Sequence, residues 1–160
     1  MRSSESYLPR LFLRSVSLAA LVFLCGCRTP QSLFTATGPG WQIQQGQALW
    51  QPDRGLSEFG GDLVLAGDME GRALIQFDKT PLSMVTAQTT TNHWLIRFPQ
   101  QRLSFSGHGP GPTRFAWLYL PAALAGKPLP PPLHFEHKPG GSWLLVNTRT
   151  GEVIEGYLSP

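Results

Sequence analysis

Hydrophobic and polar positions alternate along most of the chain from Trp41 onward. Alternation with a period of two is typical of half-buried strands, and clusters of Gly, Pro, Asn and Asp separate the alternating stretches as turns do. We therefore predict a mainly β fold, an antiparallel curled sheet or an unclosed half-barrel. The eight or nine short strands are expected in residues 41–50, 57–67, 72–78, 81–90, 93–99, 102–107, 133–138, 142–148 and 152–158.

One segment departs from this alternation. Apolar residues at Phe115, Leu118, Leu120 and Leu124 have helical spacing, and the stretch ends in Gly126. Glycine commonly follows the last residue of a helix, and proline is tolerated in the first turn, where Pro121 would lie. We predict one short helical segment over residues 115–126.

The N-terminus has the pattern of a targeting segment. Arg2, Arg10 and Arg14 form a basic region, and residues 16–24, which are uncharged and almost entirely apolar, follow it. That apolar run is too short to span a bilayer, which needs about 20 residues, but it suits the hydrophobic region of a signal peptide. Residues 1–26 are therefore predicted to be a signal peptide.

The residues 24–27, Leu-Cys-Gly-Cys, resemble the bacterial lipobox, in which a cysteine directly after the apolar region is acylated. The resemblance implies cleavage between Gly26 and Cys27, a diacylglyceryl group on the thiol, and an acyl chain such as palmitate on the freed amine. Two other interpretations stay open, an ordinary secretory signal with two chance cysteines and an uncleaved anchor. Lipidation would make the chain a membrane-anchored rather than a membrane-spanning protein, with membrane lipid as its partner.

Three regions follow from these patterns. After the signal peptide, residues 27–40 comprise the lipidated cysteine and a Thr-, Ser-, Pro- and Gly-rich stretch predicted to be a flexible tether. Residues 41–160 are predicted to form a single β-rich domain. Arg28 follows the cysteine where, in the enteric sorting rule, Asp favours the inner membrane. By that resemblance, we expect the periplasmic face of the outer membrane.

Composition excludes several classes of function. The chain has 13 Lys and Arg against 10 Asp and Glu, but three of those bases and one acid lie in the signal peptide. The chain after the signal peptide is almost neutral, so no positively charged surface for nucleic acid is expected. Both cysteines, Cys25 and Cys27, lie at the N-terminus, so the folded domain can contain neither a disulfide nor a thiolate metal site.

Catalytic chemistry has weak support. The four histidines do not stand with carboxylates at metal-ligand spacing, and no serine lies in a nucleophile-elbow motif. We predict a protein that is not an enzyme and that has no cofactor and no metal. The histidines are His93, His108, His134 and His137.

The order of segments resembles the LolA/LolB superfamily of periplasmic lipoprotein carriers, especially the LolB-like outer-membrane lipoproteins. The features that carry the resemblance are the lipobox and tether, the first strand 44–50, the hairpin 62–77, the strands in 95–107, the Trp-containing segment 115–130 and the terminal strands in 142–158. The resemblance implies an unclosed β-barrel whose apolar concavity binds acyl chains beneath a helical lid, here residues 115–126. It also implies acyl chains of lipoproteins or phospholipids, and a periplasmic carrier protein, as partners.

Apolar residues of the predicted strands and of the lid are the candidates for the cavity lining. In a fully closed barrel they would simply pack together as core, and this alternative stays open. They are Leu63, Leu65, Leu74, Phe77, Met84, Trp94, Ile96, Phe98, Phe105 and Trp117.

The hairpin loop 67–71 supplies one further candidate. LolB-like proteins expose a hydrophobic residue on such a loop, and Met69 is the only apolar side chain there. The resemblance implies that Met69 inserts into the membrane, whereas a chance methionine in a turn is the alternative. The expected function is handling of lipoproteins or lipids in the cell envelope. The alternative is a non-catalytic structural or interaction lipoprotein, serving as an accessory subunit of an envelope assembly.

Replacing Cys27 by serine removes the thiol that acylation needs, so Cys27→Ser is expected to leave an uncleaved, unacylated precursor. Mass spectrometry of the membrane fraction measures both changes, and Cys25→Ser is the matched control that should be processed normally. Normal processing and continued membrane retention of Cys27→Ser would contradict the lipobox interpretation.

Overall fold

A computed structural model describes residues 32–159 of the protein. The cleavage site and lipidation site predicted at Gly26 and Cys27 lie outside the described residues. The mainly β fold is confirmed, because nine antiparallel strands account for the alternating segments. The strands are β1 (Gln42–Gln51), β2 (Phe59–Gly67), β3 (Ala73–Lys79), β4 (Leu82–Thr89), β5 (His93–Phe98), β6 (Leu103–His108), β7 (Leu133–His137), β8 (Ser142–Asn147) and β9 (Val153–Leu158).

The nine strands form one sheet in the order β6-β5-β4-β3-β2-β1-β9-β8-β7. Consecutive strands pair as hairpins, and β1 also pairs with the last strand, β9. The two edge strands, β6 and β7, do not pair with each other, so the curled sheet stays unclosed as a half-barrel. The chain between these two edges folds back onto the sheet.

That connection contains the helical lid. A 3-10 helix, Ala116–Tyr119, continues directly into a short α-helix, α1 (Leu120–Leu124), within the segment predicted from sequence. Trp117 and Leu120 are fully buried against the inner face of the sheet, where β1, β3 and β9 supply apolar side chains. The lid therefore fills the concavity of the half-barrel. Residues 32–159 contain no helix that is long and apolar enough to cross a membrane.

Glycines permit the tight curvature where β1 and β9 pair. A Cβ atom at Gly46 would overlap the backbone oxygen of Tyr157 on β9. A Cβ at Gly156 would lie 2.6 Å from the backbone oxygen of Gln47 and 2.8 Å from the Trp143 ring. Glycine at such positions allows backbones to approach closely and sheets to bend.

The chain before β1 runs along the outer face of the sheet. Residues 32–41 are called the strap here, and residues 32–40 belong to the stretch predicted to be a flexible tether. At least three of its residues, Ser32, Leu33 and Phe34, make hydrogen bonds to Gln88 of β4. Within the described part of the chain, contact with the sheet thus begins at Ser32.

Candidate ligand-binding site

A cavity of about 460 Å³ opens at one end of the half-barrel, between the lid and the hairpin that joins β2 to β3. We call it the mouth cavity. Its sheet side includes Leu65 and Ala73, and its lid side includes Leu118 and Leu124. Its rim carries polar and charged side chains together with Met69, including Gln42, Gln44, Asp68, Arg72 and Lys127.

Two buried polar side chains at the β8–β9 turn hold the start of the lid. The Asn147 side-chain amide donates a hydrogen bond of 2.8 Å to the Thr113 carbonyl. A carboxylate oxygen of Glu152 accepts one of 3.1 Å from the backbone N–H of Ala116, the first residue of the lid helix. The other carboxylate oxygen accepts one of 3.0 Å from Trp50 Nε1 on β1. Glu152 therefore joins the lid to the sheet.

Burial dominates the electrostatics of Glu152. Removal from water raises the pKa of this carboxyl group to about 7, although the hydrogen bonds donated by Ala116 and Trp50 act in the opposite direction. Its ordinary value is 4.5. The lid is therefore attached to the sheet through a group that changes charge near neutral pH.

Most of the predicted cavity residues lie around the lid rather than around open space. Leu63, Leu65, Phe77, Ile96 and Trp117 are buried in one core cluster. Phe77 and Trp117 stack with ring centroids 5.2 Å apart, so the lid tryptophan occupies the space over β3. Four more candidates are partly buried against this cluster, namely Met84, Trp94, Phe98 and Phe105.

The sheet places Leu74 elsewhere. Ala73, Ile75 and Phe77 of β3 are buried on the lid side, and side chains alternate along a strand, so Leu74 lies on the outer face. Met84 departs from simple alternation, which would place it on the outer face because its neighbour Val85 points inward. It lies between Ser83 and Val85, which pair with consecutive residues of β3, and this bulge lets Met84 pack against the core beside Val85.

Met69 lies in the turn between β2 and β3, as the sequence predicts, and its side chain is 97% exposed. Hydrogen bonds fix the backbone of this turn, because the Asp68 side chain accepts them from the backbone N–H groups of Glu70 and Arg72. Asp68 also forms an ion pair of 2.6 Å with the Arg72 guanidinium. A rigid turn thus presents an apolar side chain to solvent beside the mouth cavity.

Sequence spacing missed a pair of histidines. His93 and His108 are opposite each other on β5 and β6, with ring centroids 4.3 Å apart, and both are exposed. Only cross-strand pairing brings them together. Across residues 32–159, no group of three or more His, Cys, Asp and Glu side chains could hold a metal ion.

Sequence reasoning also missed the roles of Trp50, Gln88 and Glu152. Trp50 was visible as an apolar residue at the end of a strand, whereas Glu152 follows a predicted turn, where acidic residues are ordinarily solvated. Comparison with known proteins adds no assignment, since no family model and no curated protein matches the chain. The fold and the site together define the class of the described domain, a lid-filled antiparallel half-barrel with a cavity at one end.

The buried carboxyl group of Glu152 makes stability depend on pH. Its pKa is higher in the folded chain, so its favourable contribution is complete below pH 4.5 and disappears as the pH rises through about 7. The loss corresponds to about 3 kcal/mol of unfolding free energy. Glu152→Gln should remove this slope from urea unfolding curves measured between pH 4.5 and 7.5.

Glu155→Gln is the matched control for that measurement. Glu155 lies on the outer face, partly exposed, and pairs with Lys138 at 3.0 Å. The control should keep the wild-type difference in stability between the two pH limits. An equal slope in wild type and Glu152→Gln would show that Glu152 does not titrate in this range.

Proposed function

We propose that this protein is an outer-membrane-anchored lipoprotein whose LolB-like β-domain binds acyl chains and assists lipoprotein or lipid handling in the cell envelope. The observation that carries the proposal is the mouth cavity, which lies between the short lid and a hairpin with an exposed methionine. The N-terminal sequence pattern supplies the anchor in this proposal.

The dimensions and lining of the mouth cavity support an acyl chain as ligand. Its volume of about 460 Å³ is within the range of roughly 300–1,000 Å³ typical of small-molecule sites. Leu65, Leu118 and Leu124 supply apolar surface inside, while Arg72 and Lys127 lie at the rim. This arrangement suits a ligand with an apolar chain and a polar head.

The attachment of the lid also supports the proposal. The lid starts on two hydrogen-bonded side chains, Asn147 and Glu152, and its α-helix has only five residues. The indole N–H of Trp117, the buried tryptophan of the lid, has no hydrogen-bond partner within residues 32–159. A buried unpaired donor costs about 1–3 kcal/mol, so the closed position of the lid is not optimally stabilised.

Met69 supports contact with a lipid surface. A methionine that is almost fully exposed gains nothing from its position in the folded domain. Moving such a side chain from water into an apolar phase is worth about 1.5–3 kcal/mol. In the proposed function, this gain brings the mouth cavity to the membrane.

A second candidate function rests on a different surface. A groove of about 570 Å³ lies on the outer face along β1, β2 and β9, beside the exposed side chains of Leu49 and Tyr157. A protein partner seated there would make the domain an accessory subunit of an envelope assembly. This candidate requires no ligand in the mouth cavity.

Native mass spectrometry separates the two functions. Residues 28–160, expressed in bacteria and purified without detergent, should carry a co-purified fatty acid or phospholipid if the domain binds acyl chains. Ala122→Phe places a larger side chain in the lining of the mouth cavity and should reduce the lipid-bound fraction about tenfold. An empty wild-type domain that captures a defined envelope protein would support the accessory role instead.

Met69→Glu should lower the rate of lipoprotein delivery to vesicles about tenfold or more, since a carboxylate opposes insertion into lipid. A reconstituted transfer assay measures the rate. The matched control is Leu82→Glu, which also changes an exposed apolar residue but lies beside the opposite turn of the sheet, between β3 and β4. Unchanged delivery by Met69→Glu would remove Met69 from the mechanism.

A further inference from the structure

On the outer face of the sheet, a row of four apolar residues and one glutamine crosses five strands near the mouth cavity. The cross-strand register places one residue each from β1 to β5 in line. They are Ile43, Ala66, Leu74, Gln88 and Leu95. Three of them, Ala66, Gln88 and Leu95, are buried although they face away from the lid. The strap contacts this row at Gln88.

Gln88 binds the backbone of the strap with both ends of its amide group. Its Oε1 atom accepts hydrogen bonds from the Leu33 N–H at 2.7 Å and from the Ser32 hydroxyl at 3.1 Å. Its Nε2 atom donates one of 2.9 Å to the Phe34 carbonyl. Only 4% of Gln88 is exposed, and a buried amide is costly unless its donors and acceptors are satisfied. In the described chain, these strap bonds satisfy both ends of the amide.

The other end of the strap contacts the hairpin that carries Met69. Phe34 and Trp41 stack with ring centroids 5.4 Å apart. The Arg72 guanidinium carbon lies 5.4 Å from the Trp41 ring and 5.9 Å from the Phe34 ring. Arg72 is at the same time bound to Asp68 in the turn below Met69. Aromatic stacking and cation–π contacts therefore connect the strap to the Met69 turn.

The strap also sets where the N-terminal part of the chain leaves the domain. Gln88 pairs with Leu74, the second residue of β3. Because β3 begins at Ala73, directly after the turn that carries Met69, Gln88 lies near that turn. Five residue steps separate Ser32 from Cys27, and covalent geometry limits that distance to about 18 Å. An anchor at Cys27 thus lies within about 18 Å of Ser32, which contacts the sheet near the end that holds Met69 and the mouth cavity.

We propose that the strap is an orienting device: by binding β4 through Gln88, it holds the mouth cavity and Met69 against the lipid surface in which Cys27 is anchored. This rests on the lipid anchoring in the proposed function. The turn that carries Met69 offers no free basic group, because Arg72 is paired with Asp68 and Glu70. Orientation therefore depends on the docked strap rather than on attraction to anionic headgroups.

Hydrogen exchange tests the docking of the strap independently of the anchor. In the full lipidated protein, in vesicles of phosphatidylethanolamine and phosphatidylglycerol, the Leu33 amide should be protected. Gln88→Ala should make it exchange about tenfold faster, the factor that corresponds to one hydrogen bond. Gln76→Ala is the matched control, because Gln76 bonds to Asp78 instead. Equal exchange rates of the Leu33 amide in all three proteins would show that Gln88 does not hold the strap on the sheet.

A fluorophore tests the orientation. With Cys27 acylated, Met69→Cys provides the sole free thiol for an environment-sensitive label. Its emission should shift to the blue on the same vesicles, also at high salt and in Gln76→Ala. The shift should be largely lost in Gln88→Ala and in Leu33→Pro, which removes the donor from the strap and leaves the sheet unchanged. An undiminished shift in both variants would overturn the orienting role.

Vesicle flotation distinguishes the two proposals. If the variants float with the vesicles but lose the blue shift, the anchor and the orienting strap are both supported. If the wild-type protein does not float, the anchor is wrong and so is the orientation at a membrane. Leu33 protection decides the docking of the strap in either case.

Discussion

The fold depends on one buried carboxylate at the point where the first strand, the last hairpin and the lid meet. Glu152 accepts hydrogen bonds from the Trp50 side chain and from the backbone of Ala116. Burying a carboxylate is expensive, and the two donors compensate for part of the lost hydration. Since these donors belong to β1 and to the lid, removing either one would leave one oxygen of the buried carboxyl group without a donor. The half-barrel and its lid are therefore stabilised together.

The same junction organises the aromatic core. The Trp50 ring contacts Phe59, Phe77, Phe98 and Trp117, with centroid distances from 5.8 to 6.2 Å. These partners come from β2, β3, β5 and the lid. One tryptophan on β1 therefore connects three other strands of the sheet to the lid that covers them. Its indole N–H requires an acceptor in this apolar environment, and Glu152 supplies it.

Local pattern was sufficient to predict the strands, because each strand of a half-barrel has one face against the lid and one face outward. The short helical segment could likewise be predicted from its spacing and its terminal glycine. The face of an individual residue was less certain. Simple alternation along β3 places Leu74 on the outer face. On β4, the bulge at Met84 exchanges the inner and outer positions of the residues before it, and no glycine or proline at that point of the sequence indicates the bulge.

The remaining features depend on contacts between residues far apart in the chain. Pairing of β1 with β9 brings Trp50 next to Glu152, which is 102 residues away. The Gln88 amide is bound by a segment 54 to 56 residues earlier. Gln on a strand ordinarily faces water, and Glu after a turn does too, so a single sequence indicates the commoner solvated position for both. Only the fold shows that each is buried.

The filled interior limits how a ligand can bind. In the proposed function, an acyl chain confined to the mouth cavity would contact Leu118 and Leu124 without displacing the lid. A chain that penetrates further meets Trp117, which stacks on Phe77 and packs against Trp50. Trp117 is adjacent to Ala116, whose backbone N–H donates to Glu152. A ligand that displaced Trp117 would therefore also disturb the hydrogen bond between the Ala116 N–H and Glu152, so the depth of binding and the hydration of this carboxyl group are coupled in the proposed function.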